Sequence, residues 1–166
     1  MRAVVLSDTH SNPNKVKNVI AQLRKHLEAA DHILHAGDIT SLELLQALEH
    51  FAPVTAVAGN MDGPEIRRKL PEQTVVELGG RRIGLIHGWG SPGGVADQVV
   101  ARFSDAPETS DLDAIVFGHT HRALVEKRGD LLLVNPGSPT DWHSAAFRSL
   151  AILEIDDSLD ARIVRL

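Results

Sequence analysis

The chain has 166 residues, enough for one domain with a continuous core and too few for two of ordinary size. At 43% hydrophobic and 23% charged residues, the composition excludes a disordered polymer. The net charge of −5 weighs against general nucleic-acid binding through backbone phosphates, although a phosphorylated substrate could still sit in a local positive site.

No Cys is present, so disulfides and thiolate metal sites are excluded and a reducing compartment is expected. The start, M-R-A-V-V-L-S-D-T-H, places only four apolar residues between Arg2 and Ser7, which fits no secretory signal. No run reaches membrane-spanning length, so a cytoplasmic protein without membrane partners is expected.

In chain order, residues 2–7 read as a short apolar strand. Asn12-Pro13 reads as a cap followed by proline at the first helical position, and Val16, Val19, Ile20, Leu23 and Leu27 then recur at helical spacing to about Ala30. His32–Ala36 is a second strand, Ser41 caps a second helix carrying Leu42, Leu45 and Leu48, and Pro53–Ala58 is a third strand. Short connections of this kind predict a parallel sheet with right-handed crossovers. Gln73–Leu78 and Arg81–Ile86 flank Gly79-Gly80 as a β-hairpin. A helix over Pro92–Phe103 and a strand over Ala114–Phe117 follow. Ala123–Glu126 with Leu131–Val134, and Leu150–Ile155 with Ala161–Leu166, make two further hairpins. With no repeat, low-complexity tract or linker, residues 1–166 are expected to form a single α/β domain of two packed sheets with helices outside.

The polar residues gather where strands end. The first strand ends in Asp8-Thr9-His10, the second in Gly37-Asp38 and the third in Gly59-Asn60-Met61-Asp62. The strand after the first hairpin ends in His87-Gly88, and the strand at 114–117 in Gly118-His119-Thr120-His121. In α/β sheets ligands bind outside the carboxyl ends of strands. Any one of these residues alone reads as a turn residue, a cap or a hydrogen-bonded structural group. Five strand ends carrying Asp8, His10, Asp38, Asn60, His87, His119 and His121 together make a metal site the better reading. Seven donors exceed one tetrahedral site and suit two cations sharing a carboxylate. Oxygen and imidazole donors without sulfur admit Mn, Fe, Ni, Co or Zn.

The motifs D-T-H (8–10), G-D (37–38), G-N (59–60), H-G (87–88) and G-H-T-H (118–121), in this order, resemble those of the calcineurin-like metallophosphoesterases. Among these, the small single-domain bacterial and archaeal phosphodiesterases are most similar, and Asn135-Pro136-Gly137-Ser138 resembles a tail motif of that subgroup. The resemblance implies a four-layer α-β-β-α sandwich of two mixed sheets. It also implies two divalent ions per chain, with Mn favoured. Asp8, His10, Asp38 and His121 would hold one, and Asp38, Asn60, His87 and His119 the other, with Asp38 bridging. Many members carry His after the G-N pair. Here that position is Met61, which leaves the leaving-group proton donor unassigned.

The implied activity is hydrolysis of a small phosphodiester by a metal-bridging hydroxide attacking phosphorus in line, without a side-chain nucleophile. Asn60 and Met61 are the expected substrate contacts. The alternatives are a phosphomonoesterase, or a non-catalytic scaffold like the retromer subunit of this fold. The filled donor set favours the enzyme, and a homo-oligomer is compatible with either reading.

The remaining motifs take ordinary readings. Gly88–Gly93 matches G-x-G-x-x-G, but it follows a hairpin strand, and Ser91-Pro92 serves as cap and first helical residue. His26 and His50 are expected to be solvated on helices, His35 to be a satisfied structural residue, and Arg67-Arg68-Lys69 to be a solvated face. His143, beside Trp142, is a weaker candidate for the pocket lining.

Overall fold

β1 (Arg2–Leu6), β2 (His32–His35) and β3 (Val54–Ala56) run parallel, with Ala3 opposite His32 and Ile33 opposite Val54. On the other side of β1 lies the antiparallel pair β9 (Ser149–Ile155) and β10 (Leu159–Arg165), giving the order β10-β9-β1-β2-β3. This computed structural model describes residues 1–105, 111–141 and 145–166. The second sheet comprises β4 (Gln73–Leu78), β5 (Arg81–Ile86), β6 (Ala114–Val116), β7 (Leu124–Arg128) and β8 (Leu131–Asn135), ordered β4-β5-β6-β8-β7. Its three inner strands are parallel and its two edges antiparallel.

The helices are α1 (Val16–Leu27), α2 (Leu42–Glu49), α3 (Pro64–Lys69) and α4 (Val95–Ser104). Val5 and Leu34 of the first sheet, with Val57 just past β3, meet Leu85, Val116 and Val134 of the second in a continuous inter-sheet core. The other face of the first sheet packs Val4, Leu6 and Ile33 against Val19 and Leu23 of α1 and Leu44 and Leu48 of α2. The outer face of the second packs Ile86, Ile115 and Leu133 against Val95, Val99 and Phe103 of α4. The result is the expected α-β-β-α sandwich. Strands buried on both faces explain their unbroken apolar runs.

Four local expectations are corrected. The first helical stretch opens as a 3₁₀ turn over Pro13–Lys15, whose cap is the Asn12 side chain accepting from Asn14 N at 3.1 Å, and α1 ends at Leu27 rather than near Ala30. Ser41 does stand at the N-cap of α2, but its hydroxyl donates to Glu43 Oε2 at 2.7 Å rather than capping the backbone. α4 begins at Val95 instead of Pro92, because consecutive glycines disfavour helix and Gly93-Gly94 hold the segment in a turn closed by Gly94 N to Ser91 O. α3 was not expected. Its only buried residue is Ile66, so it shows no apolar period. Parallel pairing also persists into the second sheet, while the last hairpin returns to the first.

Candidate metal centre

The loops after β1, β2, β3, β5 and β6 converge on one edge of the sandwich, as their common carboxyl-end placement requires. Close approach demands glycine at two points. A Cβ at Gly59 would run into the Asp38 carboxylate, and one at Gly118 into Ser7 Oγ and Asp8 Oδ2. Among the described residues, the non-glycine positions with left-handed φ are Asp8 (52°), His10 (39°), Asp38 (54°), Thr40 (62°), His119 (68°) and His121 (55°). Five of these belong to the expected ligand set. Each such conformation costs on the order of 1 kcal/mol and persists only where surrounding bonds enforce it.

Those bonds are identifiable. Asp8 N donates to Gly37 O at 3.0 Å and His10 N to Asp38 O at 3.0 Å, lacing the first two loops together. The buried Asp62 carboxylate accepts from Asp38 N (3.0 Å) and Gly59 N (2.7 Å) through Oδ2, and from Thr40 N (2.7 Å) through Oδ1. From the far side, Asn135 Nδ2 donates to Gly118 O at 2.8 Å and Ser138 Oγ to Asp8 O at 2.7 Å. The Asn-Pro-Gly-Ser motif therefore acts on the backbone beneath the site. His35, fully buried, accepts from Gly37 N through Nδ1 and so carries its proton on Nε2, which donates to Thr9 Oγ1 at 3.1 Å. Burial holds its pKa down at about 3, against the weaker opposing pull of Asp8, so it is a neutral brace, the structural role expected of it.

The side chains then meet. Asp8 Oδ1 lies 3.3 Å from His121 Nε2, 4.0 Å from His10 Nε2 and 3.9 Å from His87 Nε2. Asp38 Oδ2 lies 3.3 Å from His87 Nε2 and 3.7 Å from His10 Nε2, while its Oδ1 accepts from Met61 N at 2.7 Å. Asn60 Oδ1 is 3.0 Å from both His87 Nε2 and His119 Nδ1. Two donor triads with metal-compatible spacing result, Asp8/His10/His121 and Asp8/Asp38/His87, and Asp8 belongs to both. The sequence expectation made Asp38 the shared carboxylate. In the structure both aspartates face both groups.

Three imidazoles have their far nitrogen held by an acceptor: His87 Nδ1 by Ala36 O (2.7 Å), His119 Nε2 by Gly90 O (2.9 Å) and His121 Nδ1 by Asp141 Oδ2. In the neutral ring each then turns a lone pair toward the centre, an arrangement typical of metal-ligating histidine. Asp8 Oδ1 is fully buried and, among the described residues, makes no well-formed hydrogen bond; the nearest group is His121 Nε2 at 3.3 Å, and a carboxylate oxygen so placed calls for positive charge in the cluster. Contact with Asp8 pushes His121 up to about 9, burial opposing and Asp141 adding to the shift. Burial disfavours charge on His87, yet its bond to Asp38 and the charge of Asp8 outweigh that and raise it. Burial likewise opposes ionised Asp38, but His87, Met61 N–H and His10 hold its carboxyl below the usual range. The cluster thus attracts positive charge, and its donor set fits divalent cations.

Three contributors were not read from the sequence. Asp141, three residues past the Asn-Pro-Gly-Ser motif, had only that position as a signal. Asp62 stands in the third strand-end motif with no role assigned to it from the sequence, and both its oxygens are engaged by backbone N–H groups. Arg67 is no merely solvated face: its guanidinium donates to Asn60 O at 2.6 Å and Asp62 O at 2.8 Å. Met61 is 61% exposed beside the centre. Gly88–Gly93 forms the loop whose Gly90 carbonyl fixes His119, rather than a strand-to-helix phosphate cradle. His26 is half-buried, with burial holding its pKa down, while His50 is exposed at the end of α2. His143 lies outside the described residues. No helix among the described residues is long and apolar enough to cross a membrane.

Residues 1–158 match the family model of the calcineurin-like phosphoesterase superfamily domain. A probable metallophosphoesterase of Methanothermobacter thermautotrophicus is 36% identical over 97% of this chain and 90% of its own length. A phosphodiesterase of Methanocaldococcus jannaschii is 26% identical over 82% of this chain and 83% of its own. The structure of vacuolar protein sorting 29 from Cryptosporidium parvum shares the fold, with a TM-score of 0.73, 24% identity, and coverage of 99% of this chain and 97% of that one. With its sandwich, its five donor-bearing loops and a family match over nearly its whole length, the chain belongs to the calcineurin-like phosphoesterase superfamily, a family of metal-dependent hydrolases.

Proposed function

We propose that the chain, as a single domain, hydrolyses phosphodiesters with two divalent cations, Mn favoured. They would be held by Asp8, His10, Asp38, Asn60, His87, His119 and His121. The observation that carries the reading is the buried Asp8 Oδ1, without a well-formed hydrogen bond among the described residues, facing a cluster of imidazoles in fixed tautomers. Bound divalent cations supply Lewis acidity to the phosphoryl oxygens and a water of lowered pKa.

The chain's own residues do the rest. Asp8 and Asp38 cancel about half of four cationic charges, leaving roughly +2 to receive a singly charged diester and a nucleophile derived from water. Asn60, exposed at the mouth and touching both His87 and His119, presents its amide to the incoming phosphoryl group. Its backbone is pinned by Arg67. The expected ligands include no hydroxyl or thiol, and the Thr9 hydroxyl is occupied with His35 and loop carbonyls, which favours attack by water over a covalent intermediate. Met61 donates its N–H to Asp38 but offers the leaving group no proton, which favours diesters with stable leaving alkoxides over monoesters. The relative from Methanocaldococcus jannaschii, a phosphodiesterase by name, supports the choice. Comparison of bis-p-nitrophenyl phosphate with p-nitrophenyl phosphate tests it. Preference for the diester is expected, and preference for the monoester would reverse the assignment. Turnover of neither would favour the scaffold reading.

A further inference from the structure

Beside the centre, on the side of Asn60 and His87, opens a cleft of about 390 Å³ whose lining includes Arg67, Arg102, Trp89 and Glu72. It shares Asn60 and His87 with the donor cluster, so whatever fills it touches the candidate metal site. Ligand sites begin at roughly 300 Å³, so this cleft has room for about one ring and one small polar group.

Its chemistry is particular. Arg67 uses Nε and Nη2 on the carbonyls of Asp62 and Asn60, leaving Nη1 without a partner among the described residues. Among the described residues Arg102, on α4, donates through Nε alone, to Gln73 Oε1 at 2.8 Å, which leaves its two terminal nitrogens available. Gln73 and Asp62 O thus orient two guanidiniums whose remaining donors have no acceptor among the described residues. Glu72 is the single carboxylate in the lining, so the cleft is cationic apart from any metal. Trp89 is 46% exposed, one of few large apolar side chains left in water among the described residues. It follows Gly88, in a loop anchored by the bond of the Gly90 carbonyl to His119. A planar guanidinium matches the paired oxygens of a phosphate, and an exposed indole offers a stacking face to a planar ring.

We infer that this cleft is a specificity subsite, which takes an ester arm bearing a planar ring and a second phosphate. The inference rests on the phosphodiesterase reading for its orientation, the scissile phosphate lying over the centre and the second phosphate lying between Arg67 and Arg102. The ring packs on Trp89. The substrate class is therefore a nucleotide-like phosphodiester with a further phosphate on one arm, in preference to a diester of uncharged alcohols. Glu72 disfavours arms with additional negative charge beyond that one group.

The test is calorimetric titration of the full chain, stripped of metal with a chelator, using adenosine 5′-monophosphate, adenosine and inorganic phosphate as probes. The nucleotide should bind at least about tenfold tighter than either fragment. Arg102→Gln, at an exposed position on α4, should weaken the nucleotide about tenfold and adenosine less than twofold. Trp89→Ala should weaken nucleotide and nucleoside alike. Nucleotide affinity no better than that of phosphate, or unchanged in Arg102→Gln, would overturn the subsite. Wild-type hydrolysis of bis-p-nitrophenyl phosphate, measured alongside, reports on the phosphodiesterase reading separately. If that failed while the titration succeeded, the cleft would stand as an anion and ring site and the orientation toward a scissile phosphate would fall.

Discussion

Asp62 and Asp38 are joined carboxylate to backbone: Asp62 Oδ2 accepts the Asp38 N–H at 3.0 Å, and the same carboxylate also takes the N–H groups of Gly59 and Thr40. One side chain therefore ties the ends of β2 and β3 and holds Asp38 and Thr40 in their left-handed conformations. Asp62→Ala should strip three donors of a charged acceptor and destabilise the fold by about 3 kcal/mol, with Asp62→Asn costing less. Urea denaturation measures both. A loss under about 0.5 kcal/mol for the alanine variant would mean that the loops hold themselves.

Asp141 fixes the tautomer of His121 by accepting from Nδ1. Asp141→Ala should lower divalent-metal affinity about 10–100-fold, the usual scale for such supporting carboxylates. Competition with a metal-sensitive dye reads this directly. Wild-type affinity in the variant would show that His121 is oriented without it.

His35 gives the stability a pH dependence of known sign. It is neutral in the native state, its pKa depressed by burial to about 3 from an unfolded value of 6.5. Between those values the unfolded chain binds more protons, so this contribution is fully present above pH 6.5 and declines as pH falls toward 3. From pH 7 to pH 5.5 the wild type should lose about 1 kcal/mol more than His35→Gln, whose side chain cannot protonate. Parallel denaturation curves at the two pH values provide the comparison. Equal losses would place the His35 pKa near its ordinary value.

Much of this arrangement was legible in the sequence because strand ends are marked by the loss of the apolar run and, at four of the five, by glycine. Val4-Val5-Leu6 before Asp8, and Val54–Ala58 before Gly59-Asn60, place their donors on one edge without knowledge of tertiary contacts. Asp62, Arg67 and Asp141 escaped because they act on backbone groups or on a ring nitrogen brought near by folding. Asp141 meets His121 from 20 positions further along the chain, and no local spacing encodes that contact. Helix α3 escaped for another reason, its single buried residue. Which aspartate is shared also depends on side-chain direction at left-handed φ, which residue order does not reveal.

Met61 leaves the leaving group without a positioned acid. Met61→His should raise kcat/KM more for alkyl than for aryl leaving groups, since general acid catalysis is worth about 10²–10⁴-fold when well placed. The gain should fall toward the lower end, because Asp62 is committed to three N–H groups and cannot orient the new imidazole. Rates across esters of graded leaving-group pKa provide the check. An unchanged slope at equal metal content would mean that another group already delivers the proton.

The most direct test strips the protein of metal and titrates it with Mn while following hydrolysis of bis-p-nitrophenyl phosphate. The seven converging donors predict no turnover without metal and activity that rises to a break near two equivalents per chain. A break at one equivalent would contradict the dinuclear assignment. Binding of two equivalents without any hydrolysis would contradict the phosphodiesterase itself.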